Sequence, residues 1–168
     1  EPFAGSAAVL LNRAPSPIET LNDLNGDICN FFRVLRDHPA DLIGRLELTP
    51  YARAEFFEAW EPHPDPIESA RRFFIRIVID YAKGASRKDR SFSTNVTYDR
   101  SQFSYAPWNI ISKVAGLREI VDRLRMVQIE NRPAIDIIRK YDRPKTLFYC
   151  DPPYLPETRT SANDYAHE

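Results

Sequence analysis

The sequence predicts an α/β fold in which a long, mostly helical insertion interrupts a parallel sheet. Strand–helix–strand patterns occur at both ends of the chain, and such units form parallel sheets with crossover helices. The middle holds about 80 residues of largely helical pattern, which is too long for a connection and is interpreted as an inserted subdomain. The predicted division is residues 1–36, residues 37–124 and residues 125–168.

The first part of the chain alternates between helix and strand. A helix is predicted over Ala7–Asn12, because two prolines follow it and stop it. Ile18–Asp23 is predicted to be a short strand. Ile28–Leu35 has the apolar spacing of a helical face, and Asn25 or Asp27 is suited to cap that helix.

The insertion is predicted to consist mainly of helices. Pro39–Trp60 has an acidic helical pattern. The alternating prolines of Glu61–Pro66 then form a rigid segment that cannot be helical. Ile67–Ala82 predicts a strong helix, whereas Lys83–Asn109 is irregular, basic and aromatic. Ile110–Leu124 returns to a helical pattern.

The last part alternates again. Met126–Glu130 is predicted to be a strand, Pro133–Tyr141 a helix and Thr146–Cys150 a second strand. Ligands of open parallel sheets bind beyond the carboxyl ends of the strands. We therefore expect the functional residues to follow these strands directly.

The composition excludes several classes of protein. With 43% hydrophobic and 28% charged residues, the 168-residue chain is close to globular averages, so wholesale disorder is not expected. Neither a membrane-spanning run nor a signal peptide is visible. Cys29 and Cys150 do not form a disulfide framework and are predicted to be small core residues in a cytoplasmic protein. No metal site is predicted, because His38, His63 and His167 are scattered.

The net charge of -1 conceals an uneven distribution. Residues 71–100 carry 8 basic and 3 acidic side chains, whereas residues 1–70 carry 5 basic and 12 acidic ones. The basic and aromatic segment is typical of a nucleic-acid contact, but a solvated charged loop would have the same pattern. The same two interpretations apply to three arginines of the strong helix. These are Arg71, Arg72 and Arg76.

The motif Asp151-Pro152-Pro153-Tyr154 directly follows the predicted strand Thr146–Cys150. The Asp151 carboxylate and a carbonyl fixed by proline both accept hydrogen bonds, and Tyr154 offers a flat aromatic face. Two acceptors and a stacking surface suit the exocyclic amino group of a planar base that has been flipped out of a duplex. The predicted catalytic residues are Asp151, Pro152, Pro153 and Tyr154.

A second motif lies at the start of the chain. The small residues after Phe3 in Glu1–Val9 allow the backbone to approach a ligand closely. Asp23 follows about 20 residues later at the end of a strand, where a carboxylate can accept hydrogen bonds from ribose hydroxyls. Asp23 could equally be a helix cap within Asn22-Asp23-Leu24-Asn25.

Together these motifs resemble the Dam-like (D12 class) DNA adenine-N6 methyltransferases. Asp151–Tyr154 matches the catalytic motif of that family completely, whereas Ala7 stands where the family has a second glycine. The resemblance implies a Rossmann-like sheet, S-adenosylmethionine as methyl donor without a metal, and double-stranded DNA as the partner of an inserted target-recognition region. It implies no membrane and no obligate protein partner, a prokaryotic or phage cytoplasm, and a link to restriction–modification.

The resemblance also implies residue roles. The cofactor-binding residues are Glu1, Pro2, Phe3, Ala4, Gly5, Asp23, Asn131 and Asp151. The DNA-binding residues are Arg87, Lys88, Arg90, Asn95, Arg100 and Gln102.

Several alternatives remain open. Related cytosine-N4 enzymes more often have Ser, and protein-glutamine enzymes have Asn, at the position of Asp151, which therefore favours adenine. An RNA adenine-N6 methyltransferase and a non-catalytic, DNA-binding methyltransferase remnant are the remaining alternatives. Because the first motif normally follows a strand, we expect the chain to be a fragment that lacks segments on both sides and is incomplete as an enzyme.

Overall fold

The computed structural model describes residues 1–79, Phe92 and residues 106–154. Within these ranges there are seven helices and two strands, and five of the helices lie between the strands in sequence. In chain order they are α1 (Ala8–Asn12), β1 (Glu19–Asn22), α2 (Gly26–Asp37), α3 (Pro39–Glu47), α4 (Arg53–Glu58), α5 (Pro66–Ile79), α6 (Ala106–Leu124), β2 (Val127–Glu130) and α7 (Ala134–Tyr141). No helix in the described ranges has both the length and the apolar character that a membrane span requires.

β1 and β2 form a parallel pair, as the strand–helix–strand pattern predicts. Glu19 lies opposite Val127, and the register continues to the last residues of both strands. On the other side of β1, the Glu1 amine donates to the Thr20 carbonyl at 2.9 Å. The Asn22 N–H donates in turn to the Glu1 carbonyl at 2.9 Å. Glu1 thus makes the two hydrogen bonds of a parallel ladder. It adds one paired residue to the sheet, on the side of β1 that faces away from β2.

α2 confirms the predicted amphipathic helix. The Asn25 side chain caps it by accepting a hydrogen bond from the Asp27 N–H at 3.0 Å. Its apolar face buries Phe32 and Leu35 at the helical spacing of three residues. This face packs against α5, α6 and β2, so α2 links the sheet to the helices.

The range Pro39–Trp60 is helical as predicted, but the helix is not continuous. Two helices, α3 and α4, occupy this range, with residues 48–52 between them outside any helix. Pro50 explains the break, because its ring disfavours the helical conformation of the preceding residue and removes a backbone donor. The Thr49 hydroxyl donates to the Arg45 carbonyl at 2.7 Å and so satisfies an acceptor at the end of α3.

α5 and α6 confirm the two other helices of the predicted insertion. α6 begins at Ala106, so the irregular segment predicted to reach Asn109 ends earlier than expected. Except for Phe92, the rest of that segment lies outside the described residues.

One hydrophobic core runs through the described helices and the sheet. It joins Leu21 of β1 to Leu35 of α2, Ile75 of α5, Val121 of α6 and Val127 of β2, all of which are buried. The core therefore crosses both boundaries of the predicted division into residues 1–36, 37–124 and 125–168, and that division stays a prediction.

The strand predicted over Thr146–Cys150 is not formed. The segment has no ladder partner among the described residues, and Leu147 is 76% exposed. An extended segment becomes a strand only when a neighbour satisfies its backbone groups. Glu1, which pairs with β1, lies near Cys150: burial lowers the pKa of the Glu1 α-amino group, and Cys150 opposes this shift. Cys150 itself is exposed, which contradicts its prediction as a core residue.

Candidate active site

Three chain segments meet at the carboxyl edge of the sheet. They are residues 1–7, residues 22–26 after β1 and residues 130–132 after β2, and we call them the sheet edge. Such an edge is where α/β proteins bind ligands. Several predicted site residues lie on it, among them Gly5, Asp23 and Asn131.

Asp23 is the carboxylate at the centre of the sheet edge. Its Oδ2 accepts a hydrogen bond from the Gly5 N–H at 2.9 Å, and its Oδ1 accepts one from the Asn25 N–H at 2.8 Å. Both donors are neutral backbone groups, and the side chain is only partly buried. A carboxylate offers about four lone-pair positions, so Asp23 retains acceptor capacity towards solvent. Both predicted roles, acceptor and local cap, are compatible with this geometry.

The loop at the start of the chain contains two left-handed residues. Gly5 has φ +50° and Ala7 has φ +54°. This conformation suits glycine but costs an L-residue such as Ala7 about 1 kcal/mol. The physical advantage of a glycine at the position of Ala7 is therefore conformational freedom. A methyl group added at Gly5 would contact nothing within 4 Å, so the outer face of this loop is open.

The other predicted cofactor residues of the loop fall into two groups. Pro2 and Ala4 are buried, so their side chains belong to the core, whereas Phe3 is partly exposed. The Glu1 carboxylate accepts the Leu10 N–H at 2.6 Å, and burial raises its pKa. From this loop, Phe3 and the backbone at Gly5 therefore face the open side.

Asn131 ties the end of β2 to the end of β1. Its Nδ2 donates to the Asp23 carbonyl at 2.7 Å and to the Leu24 carbonyl at 3.1 Å. These two bonds use both amide hydrogens, while Oδ1 lies 3.7 Å from the place of a Cβ on Gly26. Asn131 therefore lies beside Asp23, and of its side-chain groups the carbonyl oxygen is left for a ligand.

Glu130 is the second carboxylate near this edge, but its neighbours occupy it. Lys140 Nζ lies 2.5 Å from Glu130 Oε1, and the Tyr141 hydroxyl donates to the same oxygen at 2.9 Å. The hydrogen bond from Lys140 is the main cause of the lowered pKa of Glu130. Asp23 differs from Glu130 because its hydrogen-bond donors are neutral backbone groups, whereas a charged lysine binds Glu130.

Cys29 is buried beneath the edge, as predicted for a core residue. Its thiol donates to the Glu130 carbonyl at 3.0 Å and approaches the Asp23 carbonyl at 3.4 Å. Burial raises the pKa of this thiol, which keeps it protonated and able to donate. Cys29 thus helps to hold the ends of both strands together.

Sequence analysis missed Asn22 as a site residue. Its side chain is fully buried at the end of β1 and makes three hydrogen bonds to the backbone on either side of that strand. The sequence carries no clear signal for this role, because β1 also contains Glu19 and Thr20 and the partners of Asn22 lie in distant segments.

The catalytic motif lies beyond the segment that fails to form a strand. Asp151 and Tyr154 are exposed, and Pro153 is partly buried. Asp151 has no hydrogen bond or ion pair with any residue in the described ranges. The structure thus fastens Asp23 into the sheet edge but leaves Asp151 without a fixed neighbour.

Three arginines of α5 are largely buried and bind other groups of the protein. The sequence had left open whether they contact nucleic acid or form a solvated surface. Arg71 donates to both carboxylate oxygens of Glu68, at 2.8 and 2.7 Å. Arg72 donates to Glu68 and to the backbone carbonyls of Glu58 and Glu61. Arg76 binds Asp27 at 2.6 Å. These side chains therefore form neither a DNA contact face nor a solvated surface.

The arginines around Glu68 strongly change its pKa. Hydrogen bonding from Arg71, and then from Arg72, holds the pKa of Glu68 at about 2 against the opposing effect of burial. The side chains of Arg71 and Glu68 are only 12% and 15% exposed. The cluster joins α5 to α4 through Glu55 and Glu58.

The predicted DNA-binding residues lie outside the described ranges. They are Arg87, Lys88, Arg90, Asn95, Arg100 and Gln102. Within the described ranges, no group of three or more His, Cys, Asp or Glu side chains is arranged to hold a metal ion.

The parallel strands and the polar residues after them lie where open α/β sheets bind ligands. Residues 1–168 match the model of the D12 class N6 adenine-specific DNA methyltransferases. The chain belongs to this family, which confirms the resemblance drawn from the motifs. Methyltransferases of this family generally use S-adenosylmethionine.

One curated relative is a Type II methyltransferase, M1.LlaDCHI, of Lactococcus lactis subsp. cremoris. It is 26% identical over 182 aligned residues. The alignment covers all of this chain and 61% of the relative, so the chain spans about three-fifths of the relative's length.

Proposed function

We propose that this chain is part of a site-specific DNA methyltransferase that transfers a methyl group from S-adenosylmethionine to N6 of a flipped-out adenine in double-stranded DNA. The observation that carries the proposal is the Asp23 carboxylate, which only backbone N–H groups hold and which keeps free lone pairs at the sheet edge. Membership of the D12 class and the relative's description as a Type II methyltransferase support it.

The donor and acceptor groups of the sheet edge fit S-adenosylmethionine. Asp23 would accept hydrogen bonds from the ribose hydroxyls, and the free Asn131 Oδ1 would accept one from the adenine amino group. The open backbone face at Gly5 leaves room for close approach, with Phe3 beside it. When bound, S-adenosylmethionine supplies an electrophilic methyl group on its sulfonium.

The catalytic motif would hold the adenine amino group for in-line attack. The Asp151 carboxylate and the Pro152 carbonyl accept the two amino hydrogens, while Tyr154 stacks on the flipped base. Pro153 keeps the Pro152 carbonyl in a fixed direction. In the transfer a bond would form between N6 and the methyl group as the sulfur–methyl bond breaks, and N6 would then lose a proton to solvent. This arrangement needs no metal.

The DNA contact would come from the basic segment after α5. Arg87, Lys88, Arg90 and Arg100 would bind phosphates, whereas Asn95 and Gln102 would reach base edges. Arg71 is not part of this proposal, because Glu68 and Glu55 occupy its guanidinium.

We also propose the complete Rossmann-like sheet that the sequence predicts. Glu1 already pairs with β1 on the side away from β2. A strand that leads into Glu1 would place a ladder partner between β1 and Thr146–Cys150, and that segment would then pair. The three-part division of the chain, a cytoplasmic location, the absence of a membrane or obligate protein partner, and a role in restriction–modification belong to the same proposal.

Methylation of plasmid DNA by the full-length protein tests the proposed activity. With a labelled methyl group on S-adenosylmethionine, we expect the label at N6 of adenines that lie within one short DNA recognition sequence. An Asp151→Ala variant should lose at least about 100-fold in rate but largely keep its binding of S-adenosylmethionine, because the main contact proposed for Asp151 is with the adenine amino group. The control is Asp142→Ala. Asp142 is another exposed aspartate, directly after α7, and this variant should keep its methyltransferase activity. Label on cytosine or only on RNA would overturn the proposal.

The proposed DNA contact predicts a change in salt dependence. Replacing Arg87, Lys88 and Arg90 by glutamine should lower the slope of log affinity against log salt by up to about 3, since each phosphate contact contributes about 0.9. The matched control replaces three exposed basic residues, Arg125, Arg143 and Lys145, by glutamine. Arg125 precedes β2, and the other two precede residues 146–150, so all three lie away from the sheet edge. If both triple variants have the same slope of log affinity against log salt, the basic segment is a solvated loop and not a DNA contact.

A further inference from the structure

We infer that Asn22 is a positioning residue that sets the distance between the segments of the cofactor site. The inference rests on the proposed function, since it assigns a purpose to the sheet edge as a cofactor site. Asn22 lies directly before Asp23, and its fully buried side chain cannot itself contact a ligand at the open face.

Asn22 binds the first loop with three different groups. Its backbone N–H donates to the Glu1 carbonyl at 2.9 Å, and its carbonyl accepts the Ala4 N–H at 2.9 Å. Its side-chain Nδ2 donates to the Pro2 carbonyl at 2.8 Å. The loop that carries Phe3 and Gly5 therefore depends on Asn22 for its position relative to β1.

The same side chain also binds the segment after β2. Nδ2 donates to the Arg132 carbonyl at 3.0 Å, and Oδ1 accepts the Arg132 N–H at 2.9 Å. Arg132 follows Asn131 directly, so this bidentate contact fixes the backbone next to the proposed adenine contact. One side chain thus links all three segments of the sheet edge.

Only a neutral amide meets these requirements. The site presents two carbonyl acceptors and one N–H donor, which match two amide hydrogens and one amide oxygen. A buried carboxylate of the same shape would face both carbonyls with no hydrogen to donate, and burial would disfavour its charge. Protonation of that carboxyl would restore one donor. Substitution by aspartate therefore makes the position sensitive to pH.

The test compares binding of S-adenosylmethionine to the full-length wild-type protein and to Asn22→Asp between pH 5.5 and pH 8.5 by titration calorimetry. At pH 8.5 we expect the variant's Kd to exceed the wild-type Kd by at least about tenfold, because at least one buried polar group loses its partner. At pH 5.5 the difference should shrink to about threefold or less. Methyl transfer at saturating cofactor should change by less than about threefold, which separates positioning from chemistry.

The matched control is Asn12→Asp. Asn12 also donates from Nδ2 to a backbone carbonyl, that of Ala8 at 2.8 Å, but it is exposed on α1. Its Kd ratio to wild type should stay near 1 at every pH. If Asn22→Asp gives the same pH-independent ratio as this control, the positioning role is wrong.

A second measurement does not depend on how the variant folds. In the wild-type protein, the side-chain amide hydrogens of Asn22 should exchange with solvent at least about tenfold more slowly than those of Asn12. Saturating S-adenosylmethionine should slow the Asn22 exchange further, since the ligand holds the three segments together. No change with ligand would overturn the inference. If the wild-type protein does not bind S-adenosylmethionine at all, the proposed function and this inference both fail.

Discussion

Asp23 and Glu68 are both partly buried carboxylates, but their neighbours give them different tasks. Asp23 at the sheet edge accepts hydrogen bonds only from the backbone N–H groups of Gly5 and Asn25. Glu68 in the helical layer, by which we mean α3 to α6, binds the guanidinium groups of Arg71 and Arg72. A carboxylate with neutral donors keeps acceptor capacity for a ligand, whereas one that arginines surround is structural.

The same contrast separates the two regions as a whole. At the sheet edge, neutral hydrogen bonds from side chains to the backbone fix the loops. In the helical layer, apolar packing and partly buried ion pairs hold the helices together. Changes in the helical layer should therefore affect folding, and changes at the sheet edge should affect binding. The four predictions below test this contrast.

The largest expected effect concerns Arg72. Replacing Arg72 by methionine should lower the free energy of unfolding by about 4 kcal/mol, because the carboxylate of Glu68 and the carbonyls of Glu58 and Glu61 lose a buried donor. Urea titration measures this change. The control Arg118→Met removes an ion pair with Glu47 whose side chains are 63% and 50% exposed, and should cost less than about 1 kcal/mol. Similar losses in both variants would contradict the contrast.

The second prediction concerns pH and Glu68. Arg71 and Arg72 hold the pKa of Glu68 at about 2 in the folded protein, below its ordinary value of 4.5. A lowered folded-state pKa adds stability above the unfolded pKa, and that stability is lost as the pH falls through the folded pKa. Glu68→Gln should therefore be less stable than wild type by about 3 kcal/mol near pH 7.

The difference between wild type and Glu68→Gln should narrow between about pH 5 and pH 2. Unfolding free energies measured in urea at several pH values test this. Glu47→Gln is the control, since Glu47 is half exposed and Arg118, its ion-pair partner among the described residues, is mostly exposed. A difference that stays constant down to pH 2 would show that the coupling to the arginines is absent.

The third prediction concerns binding. Asp23→Ala should raise the Kd for S-adenosylmethionine by roughly 30-fold, which corresponds to about 2 kcal/mol for hydrogen bonds to a charged group. Calorimetric titration of the full-length protein measures it. Asp37→Ala is the control, because Asp37 lies at the far end of α2 and pairs with Arg36. An unchanged Kd in Asp23→Ala would remove Asp23 from the proposed cofactor site.

The smallest effect compares one glycine from each region. Gly5 in the sheet-edge loop has φ +50°, so Gly5→Ala should lower the free energy of unfolding by about 1 kcal/mol. Gly44 lies inside α3, where alanine is the better helix former, so Gly44→Ala should raise it by up to about 1 kcal/mol. An added Cβ contacts nothing within 4 Å at either position, so packing does not obscure the signs. Changes of the same sign would mean that backbone conformation is not the cause.

Local patterns predicted much of the fold. The apolar spacing of α2 and its Asn25 cap involve residues within one or two helical turns, and the structure has both where they were expected. The prolines after α1 and before α5 act on their own neighbours in the same way. The motif around Asp23 was also visible, because it combines a strand end with a short polar sequence.

Other features depended on partners that no local pattern reveals. Arg71, Arg72 and Arg76 were open to two interpretations, and neither was right, because acidic residues of other segments neutralise them. Thr146–Cys150 has the composition of a strand but finds no ladder partner among the described residues.

The family and most helices could be predicted from the linear chain, since the motifs and the helical patterns each depend on residues close together in it. The roles of Asn22 and Glu68 emerged only from the folded arrangement. Asn22 meets Arg132 across 110 positions, and Glu68 becomes structural only because α5 packs next to α4. The physical reason is that a polar side chain has to satisfy its hydrogen bonds, and packing in space settles which groups are near enough to do so.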